Sequence, residues 1–415
     1  MDHYDVVVAG GGIGGVSAAI GAAKSGAKTL LVEKYGFLGG AATNASVLSF
    51  CGLYQRGGGP KPVAATGGAS HLVLSEIEKL GVTTAPRQNP RTGHWLVYLE
   101  PESLKLALDR SLAAAGVEVL FHAKAVDAVT STDLLDHIVL HCHEGRVHVA
   151  ARCFVDATGD AHVARLACVS RRVGDGAGTL QPFSSPIRVG GLAAGVVIDR
   201  DKLAAALADY NRSGAYPTNR PNAGFFAPIP NSADIWWMII DYPADSATSA
   251  TLSAAERYAR AAAQDYVAVL RKSQPACQGA FLVQTGPQVG IRESWHVDTE
   301  DRMTEDDLLA GRTRADGVAR AAWPMEDHAV IGRPTFTPIG GDGFAHIPLG
   351  CLKAKGLSNL YLAGRTIGAD PRAYSSIRVM GTAFATGFAS GIAAAHSQFT
   401  VDQLRPRIEE LGGLI

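Results

Sequence analysis

Three glycines in this sequence are spaced for contact with a pyrophosphate. Gly10, Gly12 and Gly15 form G-x-G-x-x-G directly after the apolar run Val6-Val7-Val8-Ala9. In such a loop the first glycine permits the tight turn, the second lets backbone approach the phosphates, and the third lets helix and strand pack closely. The anion then rests on free N–H groups at a helix N-terminus. Glu33 ends the next apolar run about twenty residues on, where a carboxylate accepts hydrogen bonds from ribose hydroxyls. This spacing predicts a bound dinucleotide and leaves NAD and FAD both open. Further along, His296 and His328 are candidates for moving a proton near neutral pH. For each, a hydrogen-bonded structural histidine is the competing reading. Arg292 and Arg372 are candidates to clamp a substrate carboxylate through paired hydrogen bonds. Tyr374 is a candidate to orient substrate or act as an acid, with packing as its alternative.

The elements that must hold these residues follow from local pattern. Tyr4 to Ala9 reads as a buried strand, Gly15 to Lys24 as a helix of small residues, and Lys28 to Glu33 as a second buried strand, together a β–α–β unit. Gly52 to Gly68 is rich in glycine and proline and reads as an irregular excursion over the surface or the site. Pro101 to Ala115 reads as a helix with Glu100 and Glu102 at its acidic start. Val117 to Phe121 reads as a strand, and His137 to Val149 as a hairpin turning at Glu144-Gly145-Arg146. Strand Cys153 to Ala157 follows. The composition then changes, with more proline, aromatics and polar loops, a strand at Ile235 to Asp241 and a long helix at about Ser253 to Arg271. A strand at Asn359 to Ala363 and a Gly/Ala-rich helix at about Ser376 to His396 match the N-terminal strands and helix in character. The expected fold is α/β: a Rossmann-like nucleotide-binding domain built from discontinuous segments, residues 1–177 and 341–415, with an inserted α+β substrate or cap domain at 178–340. Residues 52–100 are expected to reach toward the site.

Composition narrows the partners. Lys and Arg total 38 against 39 Asp and Glu, a formal net charge of −1, so there is no strong field to draw nucleic acid or an anionic membrane. None of the six cysteines forms a C-x-x-C pair, which leaves zinc ribbons, cysteine-ligated iron–sulfur clusters and thioredoxin-like chemistry without support. Buried free thiols in a reducing cytoplasm are expected. Residues Val6 to Ala23 carry no charge, but glycines interrupt them and Asp2 and Asp5 precede them where a signal peptide carries lysines. Strand, turn and helix explain that stretch better than a membrane span. A cytoplasmic protein without a targeting segment is the expectation, with a homo-oligomer left open.

Other eye-catching groups have plainer readings. His137, His141 and His143 would share a strand face by two-residue spacing, with His148 nearby, but lack an acidic or cysteine partner at clear spacing; a solvated hairpin face is expected and no metal. Cys51 follows a glycine-rich loop and is either a thiol reactive beside a cofactor or a buried apolar one. Trp236 and Trp237 alternate on their strand; one could wall the cofactor cavity, and core or interface packing is the preferred reading.

Downstream motifs separate FAD from NAD. Phe37-Leu38-Gly39-Gly40-Ala41-Ala42-Thr43 follows Glu33, and Asp156-Ala157-Thr158-Gly159-Asp160 follows a late strand. Tyr361-Leu362-Ala363-Gly364-Arg365 precedes a helix beginning near Arg378-Val379-Met380-Gly381. With these segments the chain resembles the glutathione-reductase-like FAD-dependent oxidoreductases, in particular the group related to the flavin subunit of heterodisulfide reductase. The resemblance runs through most of the chain, including the stretches at Leu180 to Gly191, Val289 to Val297 and Met303 to Gly311. It implies a noncovalent FAD. Gly12, Gly14 and Gly15 would hold the pyrophosphate, and Glu33 the adenosine ribose, with Lys34 beside it. Gly40 and Thr43 would lie along the pyrophosphate and toward the flavin. Val126 would touch the adenine with its backbone, and Ala157 and Gly159 would back the nucleotide. Gly364 and Arg365 would approach the ribityl chain. Arg378, Val379, Met380 and Gly381 would face the pyrimidine edge, where a helix N-terminus and an arginine stabilise the anion of reduced flavin; a surface salt bridge is the alternative for Arg378.

Two departures bear on catalysis. The family's histidine or glutamate after the A-G-R strand is here replaced by the stretch Asp370-Pro371-Arg372-Ala373-Tyr374. Its R-x-x-R-R is here Arg292-Glu293-Ser294-Trp295-His296, with tryptophan and histidine in place of two arginines. The first departure leaves no catalytic assignment to carry over to that loop, and the second is expected to alter substrate choice. A second strand-placed glycine loop is absent, so reduced flavin would pass electrons to oxygen, a diffusing acceptor or a partner protein, or receive them from transient NAD(P)H. The expected function is hydride transfer between a small organic substrate and flavin N5, in the oxidising direction. A flavin-dependent monooxygenase and a non-catalytic FAD-fold binding protein are the alternatives.

Overall fold

The computed structural model describes residues 2–56, 61–89 and 92–415. Part of the expected 52–68 excursion, residues 57–60, lies outside the described residues. The main sheet has seven strands. Six run in the order Glu118–Leu120, Thr29–Val32, Asp2–Ala9, Gly145–Asp156, Leu134–Cys142 and Lys124–Ser131. Leu360–Leu362, from near the C-terminus, pairs in parallel with the far end of Gly145–Asp156. The expected hairpin arm and the expected strand at Cys153 are thus one twelve-residue strand. Its first half pairs antiparallel in the hairpin, and most of its length pairs in parallel with Asp2–Ala9. This branching lets the last segments of the chain return beside the first, as a discontinuous Rossmann-like FAD-binding architecture requires.

Helix Ile13–Lys24 begins three residues after the first glycine and is buried along nearly its whole length. Small residues are needed because it packs directly on helix Met380–Ala395. A Cβ on Gly391 would stand 1.9 Å from the Ala18 carbonyl oxygen, and one on Gly387 2.1 Å from that of Gly14. Backbone thus meets backbone, and the Ser17 hydroxyl donates across the same interface to the Phe384 carbonyl at 2.6 Å. The expected single helix from Ser376 is instead two, Pro371–Ile377 and Met380–Ala395, bent by 93° at Arg378-Val379. Close approach explains the break: a Cβ on Gly381 would lie 2.2 Å from the Gly52 carbonyl carbon, so the second helix must start where another backbone already runs. Among the described residues, no single helix is long and apolar enough to cross a membrane.

A second core is built on an antiparallel sheet ordered Phe225–Pro228, Ile235–Tyr242, Phe183–Gly190, Phe281–Thr285. Helices Arg200–Asn211 and Ser249–Ser273 pack on it. Its buried apolar residues run from Phe183 to Val289, whereas Val297, Met303, Leu308, Val318 and Met325 belong to the main core. The buried apolar residues of this second core thus end at Val289, and the segment from there to 340 packs on the main core. The described residues between Gly52 and Gly68 are irregular, as their composition suggests, and helix Ala69–Lys79 and a small sheet of Ser49–Cys51, Trp95–Tyr98 and Arg87–Gln88 flank them.

Candidate active site

The glycine loop turns as its spacing requires. Gly10 has φ +102°, and a Cβ there would stand 2.6 Å from the Ala157 carbonyl oxygen. A Cβ on Gly15 would stand 1.8 Å from the Gly10 carbonyl oxygen, so Gly15 is a packing residue and does not line the cleft. Above Gly12 there is room, the nearest atom to a Cβ being Gly40 Cα at 3.7 Å. No side chain caps the helix that starts here, so its first N–H groups remain available to an anion. Glu33 accepts from the Gly11 N–H at 2.6 Å and the Tyr35 N–H at 3.0 Å, which fixes its carboxylate in the wall of the cleft.

The cleft runs from this loop to the end of the bent helix pair. Gly10, Gly12, Gly14, Lys34, Gly40, Ala157, Gly159, Gly364, Arg365, Arg378, Val379 and Met380 all line it, as their motifs predict. Asp156 accepts from Thr158 N–H and Oγ1 and from Ala164 N–H, holding the turn that presents Gly159. Arg365 reaches Asp160 at 3.3 Å. Besides Gly15, three expected cofactor residues lie outside the cleft wall. Thr43 is buried and donates to the Leu38 carbonyl at 2.7 Å, bracing the loop while Asn44 takes the place in the cleft wall. Gly381 packs on Gly52 and only its neighbours reach the cleft. Val126, 36% exposed, lines neither the cleft nor the cavity adjoining it, which Ala123, Lys124 and Ala125 help to wall.

The far end of the cleft is a buried polar cluster. Asp241, fully buried, pairs with Arg220 at 2.7 Å and Arg292 at 3.1 Å. Burial alone would raise its carboxyl; the two guanidinium groups outweigh burial and hold it below the usual carboxylate range. Arg292 donates its remaining terminal nitrogen to the Pro182 carbonyl at 2.6 Å. It lines the cleft, and each terminal nitrogen already spends a donor within the protein, on Pro182 and on Asp241. Burial lowers its pKa to about 10, so it stays charged at neutral pH. His328 lines the cleft with Nε2 3.2 Å from Glu326 Oε1, and Nδ1 has no protein partner. Burial, then the nearby Arg292, push its pKa down to about 4. Glu326 also accepts from Trp323 Nε1 at 3.0 Å; burial would raise its carboxyl, but His328 and Arg378 keep it well below the usual range. Arg378 donates to the Glu326 carbonyl at 3.2 Å and leaves a buried Nε unpartnered, so it is not a surface salt bridge.

The other catalytic candidates do not reach the cleft. His296 is bonded to Glu293 at 2.8 Å and packs edge-on against Tyr374 at 4.4 Å. The Tyr374 hydroxyl donates to the Arg292 carbonyl at 2.8 Å, and burial first of all pushes its pKa up to about 12. These two brace the Arg292 segment. Arg372, 38% exposed, pairs with Glu305 and Asp327 outside the cleft. Trp236 and Trp237 divide between the two cores, and Met238 lines the cleft instead. Cys51 lines it too, but burial, with Glu326 adding, pushes its thiol up to about 12, so it stays protonated. The rings of His137 and His148 lie 5.1 Å apart, tilted by 39°, and among the described residues no group of three or more His, Cys, Asp or Glu is placed for a metal ion.

Sequence reasoning missed Glu326, Asn44, Met238 and Gln288. Glu326 carried a usable signal: it stands two residues before His328, at the end of strand Met325–Asp327, a spacing that puts both side chains on one side of extended backbone. Gln288 carried none, since it bonds Tyr35 across the cleft from 253 positions away.

The donor set fits FAD. Uncapped helix ends stand at both ends of the cleft, at Gly12 and Val379. Open space lies over Gly12, and cleft-lining Asn44, Arg365 and Arg378 each have a buried polar atom without a protein partner. Residues 5–405 match the model of the FAD dependent oxidoreductase family. No curated protein matches. Among solved structures, the fold is similar to BexE at 12% identity and TM-score 0.51, covering 99% of this chain and 66% of that one. It is similar to the flavin-dependent brominase Bmp2 at 14% identity and TM-score 0.50, covering 99% and 83%. A geranylgeranyl bacteriochlorophyll reductase-like protein from Thermoplasma acidophilum aligns at 16% identity and TM-score 0.46, covering 99% and 80%. With loop, cleft and family match in agreement, the chain belongs to the FAD dependent oxidoreductase family, as an enzyme whose cofactor is FAD.

Proposed function

We propose that the protein oxidises a small organic substrate, with His328 receiving the proton released. When bound, FAD supplies a ring that takes two electrons from a substrate carbon as a hydride. The observation that carries the reading is the His328–Glu326 pair in the cleft wall. Glu326 accepts from Nε2–H, which leaves Nδ1 as the basic nitrogen; the depressed pKa keeps that nitrogen unprotonated at neutral pH. A substrate O–H or N–H would give its proton to Nδ1 as the adjacent C–H bond breaks. Gly12, Gly14 and the first turn of Ile13–Lys24 would hold the pyrophosphate, Glu33 the ribose, and Arg378 with the Met380 helix end the pyrimidine edge. Met238, Val47 and Ser184 would bound the substrate.

Within the family, the motifs support kinship with the glutathione-reductase-like group and the flavin subunit of heterodisulfide reductase. Without a C-x-x-C pair, electrons would leave to oxygen or a diffusible acceptor. Six free cysteines suit a reducing cytoplasm. The test is anaerobic mixing of the flavin-loaded protein with alcohols, amines and hydroxy acids, followed by oxygen. Bleaching of the flavin absorbance by one class, slowed by His328→Ala, is expected. Bleaching only by NAD(P)H, with oxygen from O₂ appearing in a product, would replace oxidation with monooxygenation. Flavin that no reductant bleaches would make the protein a binder.

A further inference from the structure

We propose that Trp295 and Arg165 form a purine platform at the adenosine end of the FAD site, and that this platform makes the protein select FAD over FMN. The inference rests on the FAD assignment and is independent of the reaction catalysed.

A second cavity adjoins the cleft, and the two share Glu33, Lys34 and Asp160 in their walls. It contains neither His328, Glu326 nor Arg378, so it is not the substrate end. Trp295 and Arg165 both line it. The family resemblance implies a substrate role for Trp295, which stands in place of an arginine; the fold carries it to the opposite end. Strand Trp295–Val297 pairs antiparallel with Arg171–Val173, which sets the indole beside helix His162–Leu166. There the Arg165 guanidinium carbon lies 4.4 Å from the indole centroid, with that of Arg171 at 5.3 Å.

A guanidinium laid on an indole is held flat by cation–π attraction. With one face against Trp295, its opposite face is the one free to meet a ligand. Arg165 Nε is buried and has no protein partner. A nucleoside answers both features: its purine lays a π-face on the guanidinium plane, and a ribose oxygen at the edge can accept from the in-plane Nε–H. Glu33, fixed by two backbone N–H groups, stands in the same wall to take the ribose. FMN offers neither a purine nor a ribose.

Equilibrium dialysis of the flavin-loaded protein against mixtures of FAD and FMN reads the preference directly, with bound flavins separated and quantified. Trp295→Ala and Arg165→Met are each expected to lower the FAD-to-FMN occupancy ratio about 10- to 100-fold, the scale of one lost base stack. Trp295→Phe, which keeps a ring, is expected to hold most of the ratio. An unchanged ratio in Arg165→Met, or equal losses of FAD and FMN affinity in both variants, would overturn the proposal. If Trp295→Ala does not fold, Arg165→Met decides alone.

Discussion

His328 Nε2 and Glu326 Oε1 stand 3.2 Å apart at the end of one short strand, and the bond leaves Nδ1 as the imidazole nitrogen without a partner among the described residues. Two consequences are measurable. Nitrogen-15 NMR should show one neutral tautomer, protonated on Nε2, persisting to about pH 4. Glu326→Gln should mix the tautomers and slow flavin bleaching by substrate at saturating substrate, while flavin content stays at one per chain. A tautomer ratio unaffected by Glu326→Gln would remove the positioning role.

Acid should destabilise the fold through the same kind of group. His94 and His328 are buried, and burial first of all lowers both pKa values to about 4 from an ordinary 6.5. Between those values the unfolded chain binds protons that the folded one refuses, so stability rises with pH across about pH 4 to 6.5 and levels off above it. The two together should cost on the order of a few kcal/mol by the bottom of that window. Urea melts across the window check this, and His94→Phe should flatten the slope.

The glycines should separate binding from folding. Gly12 has space for a Cβ and Gly15 has none. Gly12→Ala should therefore fold with a near-normal melting temperature while retaining little FAD. Gly15→Ala should lose both. Gly391→Ala should fail on stability alone, by about 1–3 kcal/mol or more as overpacking, because it meets Ala18 and not the cleft.

Asp241 faces two buried cations. Asp241→Ala would strand Arg220 and Arg292 with unpaired charge, a loss of about 3–5 kcal/mol read as a fall in the denaturation midpoint. A loss within measurement error would show that solvent reaches the cluster.

Arg372 and Arg378 are six positions apart and should behave oppositely. Arg372→Ala removes partly exposed ion pairs and should cost no more than about 1 kcal/mol, with flavin properties unchanged. Arg378→Met should shift the flavin midpoint potential negative, because a cation beside the reduced ring is lost. Equal potentials in the two variants would place Arg378 away from the flavin.

Much of the scaffold was legible in local pattern. Val6 to Ala9, the glycine loop and Glu33 are a contiguous run whose geometry follows from short-range sterics. Pro101–Ala115 has the expected bounds because Glu100 caps it, accepting from Ser103 N–H at 2.7 Å, and Gly116 ends it in the left-handed region. The break at Arg378-Val379 was hidden, since its cause is the Gly52 backbone, more than three hundred positions away.

The same division runs through the site. By itself the sequence determined the cofactor class and the glycine-rich turns that wall the cleft, because such turns are set by backbone sterics within a few residues of each glycine. Only the tertiary structure decided the catalytic end. Arg292, His296, His328, Arg372 and Tyr374 are alike in sequence as polar residues in irregular segments, yet two of the five line the cleft. Which two depends on what each meets across the fold: Tyr374 for His296, the Arg292 carbonyl for Tyr374, Glu305 and Asp327 for Arg372. Burial and partner identity set a side chain's charge and reach, and both are properties of packing between distant segments rather than of residue type or spacing.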